Sequence, residues 1–406
     1  MGEYAYLMYI AIILFSTKVL GVFSRKLHMP QVVGALLAGI ILGPSITNLI
    51  TLQGDMGQFL EDTAEIGVIL LMFSAGLDTD VRELKKNSIS ACIVAGIGVL
   101  VPVLGGFFTY LAVFQPSLAS QQEVLKAVFI GVILSATSVS ITVETLREMG
   151  KLGGKVGTTI LGAAVIDDVL GIIVLTIVTS LQDTSVKVST VLLKIALYFV
   201  FIGAVFLVCN KGKKYIERFD KRRSVAIMAV VFCLVLSYIS EAVFGIADIT
   251  GAYFAGLILC QLKLQSYVNR KTEILSYMFF SPVFFASIGL KTSLSAMSGA
   301  VLVFSAVLLL VAILSKVMGC GLGAKLCGFS GKDSMQIGVG MISRGEVALI
   351  VAQKGSQCGL LNNNLFGAVV LVVIVTTLIT PVLLKVVMRE TPQAYKMERL
   401  NKKRCA

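Results

Sequence analysis

Thirteen apolar segments joined by short polar connectors constrain the fold of this chain more than any other feature. An apolar segment of about twenty residues is long enough to cross a bilayer as a helix. Only 14% of the residues are charged, whereas soluble domains carry about 25%. The pattern therefore predicts an all-α polytopic membrane protein with 13 transmembrane helices. They are expected near residues 4–23, 30–48, 57–77, 89–113, 124–148, 156–181, 189–209, 222–241, 246–263, 272–290, 297–326, 333–356 and 365–388.

The connectors between these segments alternate in their content of basic residues. Odd-numbered connectors hold most of the Lys and Arg residues, and even-numbered connectors hold almost none. Because cytoplasmic connectors carry such an excess, we expect a plasma-membrane protein with its N-terminus outside and its C-terminus in the cytoplasm. The most basic connector spans 211–223. The net charge of +12 therefore favours contact with anionic lipid headgroups and not nucleic-acid binding.

Short motifs recur in the same order in the two halves of the chain. Residues 34–42 match 251–259, and two shorter matches join 74–79 with 287–292 and 130–132 with 337–339. Predicted helices 2 and 9 are separated by an odd number of crossings, so the two copies face opposite ways across the membrane. Such an inverted repeat, here of about six helices, is typical of secondary transporters.

The repeat divides a single transmembrane domain, 1–406. The first repeat is expected at about 30–209 and the second at about 246–388, with helix 222–241 leading the second. The first predicted helix is an extra N-terminal element. Residues 389–406 are expected to form a short basic cytoplasmic tail.

Two predicted helices contain residues that interrupt a membrane span. Helix 5 carries a cluster of hydroxyl residues over 132–142, among them Thr137 and Ser138. Helix 12, its repeat partner, carries three glycines and the charged residues Arg344 and Glu346 near its middle. These features predict two broken, crossing helices whose freed carbonyls and hydroxyls can ligate a cation, while Arg344 and Glu346 balance the half-helix dipoles. Ordinary packing of small residues and a structural Arg–Glu ion pair are the alternatives.

Two adjacent aspartates, Asp167 and Asp168, lie in the middle of an apolar segment, where an unpaired carboxylate is costly. Lys316 lies similarly deep in predicted helix 11, and its natural partner is an aspartate. Because neighbouring residues on a helix point about 100° apart, one aspartate can pair with Lys316 while the other faces an ion cavity. The residues therefore predict a binding site for a cation or a proton. Hydrogen bonding between helices and a snorkelling lysine are the alternatives.

A further group of charges lies near the start of predicted helix 3. Glu61, Asp62 and Glu65 could line an outer funnel. Acidic residues are common at helix N-termini, where they face the positive end of the helix dipole, and we favour that simpler explanation.

Four stretches together resemble the monovalent cation:proton antiporter superfamily, and above all its NapA-type sodium/proton antiporters. They are 135–139 (SATSV), 142–152 (TVETLREMGKL), 162–171 (GAAVIDDVLG) and 344–346 (RGE). The resemblance covers essentially the whole chain, and the same branch holds the Kef potassium-efflux systems. It implies a homodimer in which a dimerisation domain supports a mobile core domain, with elevator-like alternating access, no enzyme activity and no bound cofactor.

The resemblance also implies roles for the residues of the predicted site. Asp168 would be the main carboxylate for the transported Na⁺ and for protons, Asp167 would pair with Lys316, and Thr137 would lie at the break of helix 5. The combination of Asp-Asp with a helix 11 lysine resembles members regarded as electrogenic. The implied function is electrogenic exchange of Na⁺, and also Li⁺, for protons, in the service of pH homeostasis.

Other functions compete with sodium/proton exchange. A potassium/proton antiporter of Kef type uses the same oxygen ligands, although the chain ends at Ala406 without the nucleotide-binding regulatory domain of full-length Kef proteins. An ion channel is less expected, because no repeated carbonyl-filter motif is visible. An intramembrane aspartyl protease needs two aspartates on different helices, whereas this pair is adjacent.

Overall fold

Helices account for all regular structure in the described part of the chain. The computed structural model describes residues 5–27, 29–50, 54–115, 120–182, 188–216, 222–263, 265–291, 299–357 and 359–389. The α-helices in these ranges are α1 (Ala5–Lys26), α2 (Gln31–Leu42), α3 (Gly54–Leu77), α4 (Val81–Phe114), α5 (Gln121–Ser135), α6 (Val139–Glu148), α7 (Lys155–Gln182), α8 (Val188–Ile216), α9 (Arg222–Ile239), α10 (Asp248–Leu259), α11 (Gln265–Leu275), α12 (Ser281–Leu290), α13 (Gly299–Leu326), α14 (Gly331–Gly340), α15 (Glu346–Gln357) and α16 (Asn363–Val387). Single π-helical segments extend α9 and join α11 to α12.

The all-α, multi-pass membrane architecture is confirmed. Nine helical segments within the described ranges are long and apolar enough to cross a membrane, and α2 and α10 are shorter apolar helices of 12 residues each. Predicted helices 5 and 12 each consist of two pieces, α5 with α6 and α14 with α15. The count of thirteen spans stays a prediction.

Four predicted helix boundaries were wrong by six residues or more, and local backbone chemistry explains two of them. Predicted helix 7 continues to Ile216 and does not end near residue 209, and predicted helix 10 begins at Gln265 and not near residue 272. Helix 2 ends at Leu42 and not near residue 48, because Gly43 is extended and precedes Pro44, which disfavours a helical residue before it. Helix 4 begins at Val81 and not near residue 89. The Asp80 side chain caps this earlier start by accepting a 2.8 Å hydrogen bond from the Arg82 N–H.

The helices pack into two groups that meet along a narrow seam. The crossing group comprises α4–α7 and α13–α16, and the scaffold group comprises α1–α3 and α9–α12. Helix α8 lies against α7 on one side and α10 on the other. At the seam, α6 contacts α2 and α3, and α16 contacts α2. Both predicted breaks and both halves of the Asp167–Lys316 pair therefore belong to the crossing group.

Two glycine contacts hold the scaffold group together. Gly39 of α2 packs against Gly289 of α12, and Gly76 of α3 packs against Gly256 of α10. A Cβ atom at any of the four would lie 2.0–2.5 Å from backbone atoms of the facing helix. Positions 39 and 256 are equivalent in the sequence repeat, and so are 76 and 289. The two crossings therefore join equivalent pairs of positions, and the inverted orientation of the repeat stays a prediction.

We expect Gly256→Ala to destabilise the protein, because its new methyl group has no room at the α3–α10 crossing. Overpacking of this kind typically costs about 1–3 kcal/mol. Gly203→Ala in α8 is the matched control, since a Cβ there meets nothing within 4 Å. Thermal unfolding of both variants in detergent checks the expectation: Gly256→Ala should melt well below the wild type and Gly203→Ala at or slightly above it. Equal melting temperatures would contradict the close crossing.

Candidate ion-binding site at two broken helices

The first helix break separates α5 from α6. Residues 136–138 are not helical, and Ser138 has an extended backbone at φ −91° and ψ 103°. Hydroxyl side chains promote such a break, because they compete for backbone hydrogen bonds: the Ser135 hydroxyl donates to Val132 O at 2.8 Å. The structure thus places Thr137 and Ser138 in the gap between two half-helices. The gap exposes backbone groups that an intact helix would satisfy internally.

The second helix break separates α14 from α15 and lies against the first. Within residues 341–345, Gly345 passes so close to the first break that a Cβ atom there would lie 2.5 Å from Ser138 Oγ. Only glycine fits this approach without displacing Ser138. Gly345 therefore serves the crossing, whereas Gly338 and Gly340, the other two glycines of predicted helix 12, lie against Val317 of α13 and Ile160 of α7.

Hydrogen bonds join the two breaks directly. The Ser138 N–H donates to Ser343 O at 2.8 Å, and the Ser343 hydroxyl donates back to Ser138 O at 2.7 Å. One turn away, the Thr142 hydroxyl donates to Gly340 O at 2.7 Å. These bonds satisfy backbone groups that the breaks leave unpaired, so each break stabilises the other.

Arg344 places a positive charge at the carboxyl end of α14. Its guanidinium donates to Met341 O at 3.2 Å and to Ile342 O at 2.8 Å, and it reaches Ala312 O of α13 at 3.3 Å. The side chain is only 1% exposed. A cation at a helix C-terminus offsets the negative end of the helix dipole. Glu346 is the first residue of α15, but its side chain lies outside the described residues.

A buried ion pair lies beside the crossing. Lys316 Nζ of α13 is 2.8 Å from Asp167 Oδ1 of α7, and the two side chains are 0% and 1% exposed. The other Asp167 oxygen, Oδ2, is buried and has no hydrogen-bond partner within the described residues. Lys316 therefore does not reach the headgroup region as a snorkelling lysine would. The role of this pair in ion exchange stays a prediction.

Thr137 of the first break and Asp168 of α7 are both buried. Thr137 and Ser138 line a small cavity together with Leu161 and Ala164 of α7. Ala164 lies one turn before Asp168 and shares its helix face, although Asp168 is not among the residues that line this cavity. Asp168 is 8% exposed. The Thr137 hydroxyl is buried and has no hydrogen-bond partner among the described residues, which leaves its oxygen available as a ligand.

Sequence reasoning missed two polar residues that belong to this arrangement. Thr376 and Thr377 of α16 are buried, and both hydrogen-bond to the backbone of Arg344. The signal was present in the sequence as adjacent hydroxyl residues in the middle of an otherwise apolar span. It resembles ordinary small-residue packing between membrane helices, and only the three-dimensional contact distinguishes the two.

An acidic cavity of about 810 Å³ opens between the scaffold group and the pair α15 and α16. Glu61, Asp62 and Glu65 line it, and Glu61 forms an ion pair with Lys291 at 3.2 Å. Our preferred explanation of these charges as helix N-terminal residues was wrong. Helix α3 begins at Gly54, so Glu61 lies about two turns into the helix, beyond the first turn where the dipole acts.

At the end of the seam opposite the acidic cavity, polar contacts link the crossing group to the scaffold group. Glu148, the last residue of α6, accepts hydrogen bonds from the first N–H groups of α2, from Gln31 at 2.8 Å and from Val32 at 3.2 Å. The adjacent Arg147 lies 3.6 Å from Asp78, which directly follows α3. Burial raises the pKa of the Asp78 carboxyl above its ordinary value, although Arg147 opposes the rise. Both contacts join the crossing group to the scaffold group.

Comparison with known proteins finds sodium/proton antiporters that are similar to this chain over nearly its whole length. The family model described as the transmembrane sodium/hydrogen exchanger matches residues 10–390. The chain is 40% identical to the Na(+)/H(+)-K(+) antiporter GerN of Bacillus cereus, over 94% of this chain and 96% of that protein. It is 38% identical to a Na(+)/H(+) antiporter of Enterococcus hirae, over 93% and 96% of the two chains. The solved structure of the sodium proton antiporter MjNhaP1 from Methanocaldococcus jannaschii is similar in fold, with a TM-score of 0.70 at 18% identity over 94% of this chain and 96% of that one.

We expect Lys316→Ala to lower the stability of the protein strongly, because it leaves the Asp167 carboxylate buried without its partner. Breaking a buried pair from one side typically costs about 3–5 kcal/mol. Asp167→Asn in the same protein should restore part of the loss. Lys291→Ala is the control, because the Lys291–Glu61 pair is about one-third exposed and such pairs contribute about 0–1 kcal/mol. Melting temperatures of the wild type, the two single variants, the double variant and Lys291→Ala are compared, and additive effects of Lys316→Ala and Asp167→Asn would show that the two residues do not interact energetically.

Proposed function

The chain belongs to the transmembrane sodium/hydrogen exchanger family, and from this premise we propose that it exchanges Na⁺, and also Li⁺, for protons across the plasma membrane. It is a member of the monovalent cation:proton antiporter superfamily. In this proposal Asp168 holds either the cation or protons, and Thr137 and Ser138 supply further oxygen atoms from the first break. Asp167 with Lys316, and Arg344 with Glu346, balance the charges around the site.

One observation carries the proposal: two carboxylates and a lysine are buried where two broken helices cross. Lys316 pairs with one oxygen of Asp167, and Asp168 follows on the next position of α7, about 100° around the helix. A carboxylate at this depth is stable when it is protonated or when it binds a cation. Competition between these two states at a single group is the chemical basis of obligatory exchange.

Potassium is the second candidate cation. The relative GerN, 40% identical to this chain, is named a Na(+)/H(+)-K(+) antiporter. The oxygen ligands proposed here can coordinate either ion. Exchange assays with Na⁺, Li⁺ and K⁺ in proteoliposomes, followed with a pH-sensitive dye, separate the two candidates. They also exclude a channel, since a channel has no obligatory proton counterflow.

We further propose thirteen spans, with an outer N-terminus and a cytoplasmic C-terminus, and an elevator-like movement of the crossing group against the scaffold group. In this orientation the acidic cavity at Glu61, Asp62 and Glu65 opens outward, and the contacts of Glu148 and Arg147 close the cytoplasmic side. The structure then corresponds to an outward-facing state. A homodimer formed through the scaffold group completes the proposal.

We expect Asp168→Asn to abolish cation/proton exchange while the protein stays folded. The amide neither takes up a proton near neutral pH nor carries the negative charge that neutralises a cation. In the wild type, the apparent affinity for Na⁺ should rise with pH, since fewer protons compete for Asp168. Asp62→Asn is the control, because Asp62 lines the wide outer cavity. Exchange rates at several pH values, measured in proteoliposomes with matched protein content, test both expectations. Wild-type rates in Asp168→Asn would refute the assignment.

We expect exchange to move net charge, because Na⁺ binding at Asp168 would displace one proton there and release another from Lys316 when its pair with Asp167 opens. Two protons then exchange for one cation, and each net charge couples to the potential at about 2.3 kcal/mol per 100 mV. An inside-negative potential, imposed with potassium and valinomycin after K⁺ has been excluded as a substrate, should accelerate Na⁺ extrusion driven by inward protons. If the ion gradients at which net exchange reverses do not change with the imposed voltage, exchange is one-for-one, and Lys316 has a structural role only.

A further inference from the structure

Two buried threonines of α16 hydrogen-bond to the backbone of the second helix break, one to the N–H and the other to the carbonyl of the same residue. The Arg344 N–H donates to Thr376 Oγ1 at 3.3 Å, and the Thr377 hydroxyl donates to Arg344 O. Thr376 and Thr377 are 0% and 2% exposed. Neither backbone group of Arg344 has an intrahelical partner, because the residue lies between α14 and α15. Helix α16 therefore anchors the break where no regular structure can.

This anchor connects to the first break through the backbone and two hydrogen bonds. Ser343 directly precedes Arg344, and it exchanges two hydrogen bonds with Ser138. Thr137 directly precedes Ser138 and lines the small cavity beside α7, and its buried hydroxyl has no hydrogen-bond partner within the described ranges. A displacement of Arg344 relative to α16 would therefore shift Ser343, Ser138 and Thr137 together.

We propose that Thr377, together with Thr376, is a positioning residue that sets the cation affinity of the site without touching the cation. The inference rests on the function proposed above and adds a residue to it. Ion ligands must be held within about 0.5 Å of their working geometry by neighbouring groups. Loss of such an outer hydrogen bond typically costs about 10–100-fold in metal affinity.

The alternative is that the threonine hydroxyls only satisfy helix packing. Thr380, one turn further along α16, provides the comparison. It is 0% exposed, and its hydroxyl donates to Thr376 O at 2.6 Å within the same helix, so it does not reach the break. Thr380 therefore shares the burial, helix and chemistry of Thr377 but lacks its contact with Arg344.

The test compares Thr377→Val, Thr377→Ser and Thr380→Val in the full chain, reconstituted in proteoliposomes. Apparent KM for Na⁺ and maximal exchange rate are measured at one pH, together with the rise in melting temperature that Na⁺ produces in detergent. Thr377→Val should raise KM about 10–100-fold, change the maximal rate much less, and lose most of the Na⁺-induced stabilisation. Thr377→Ser keeps the hydroxyl and should restore near wild-type KM, and Thr380→Val should match the wild type.

Several outcomes would overturn the proposal. An unchanged KM in Thr377→Val, an equal rise in Thr380→Val, or a Thr377→Ser variant as impaired as Thr377→Val would reduce Thr377 to a packing residue. If Thr377→Val does not fold, Thr377→Ala removes the same hydroxyl without adding a branched side chain and carries the same expectations. A wild type that shows no Na⁺-dependent exchange would refute the proposed function itself. A wild type that exchanges Na⁺, with a KM that Thr377→Val leaves unchanged, would refute only the role of Thr377.

Discussion

The contact between Lys316 and Asp167 is the interaction on which the rest of the site depends. Both charges lose their hydration when they are buried, and the pair is stable only while its partners stay close. The 2.8 Å contact joins α13 to α7, and α4 packs against both helices. Gly98 of α4 leaves room for this arrangement, since a Cβ atom there would lie 2.4 Å from Cys320 Sγ and 3.8 Å from Lys316 Nζ. The pair thus joins α13 to α7 beside α4 and leaves Asp168 on a neighbouring face of α7.

The two breaks complete the environment that such charges require. They bring backbone dipoles and hydroxyl oxygens to the depth of the aspartates, and they satisfy each other through Ser138 and Ser343. Both breaks belong to the crossing group, and so do α7 and α13, which carry the buried ion pair. The whole site could therefore move as one unit in the proposed elevator mechanism. Such a movement would have to open the hydrogen bonds between Glu148 and the start of α2.

The sequence allowed the membrane architecture and the polar centre to be predicted, because a charge or a glycine cluster in an apolar span is costly and therefore informative. Asp167, Asp168, Lys316 and the broken helices belong to this class. Helix α2 was predicted too long because hydropathy outweighed the turn signal at Gly43. Thr377 and the Glu148 cap on α2 could not be predicted, since each joins residues that are distant in sequence and common in type. Such partners follow from helix packing, which hydrophobic periodicity alone does not specify.

Proton release on cation binding tests the competition at Asp168 most directly. Purified protein in detergent and weak buffer is titrated with Na⁺ while a pH-sensitive dye reports released protons, and choline chloride serves as the control for ionic strength. If one carboxylate holds either a cation or a proton, wild-type protein should release protons in step with Na⁺ binding, and Asp168→Asn should release far fewer. Saturable Na⁺ binding without proton release, or equal release from the wild type and Asp168→Asn, would contradict exchange through this residue.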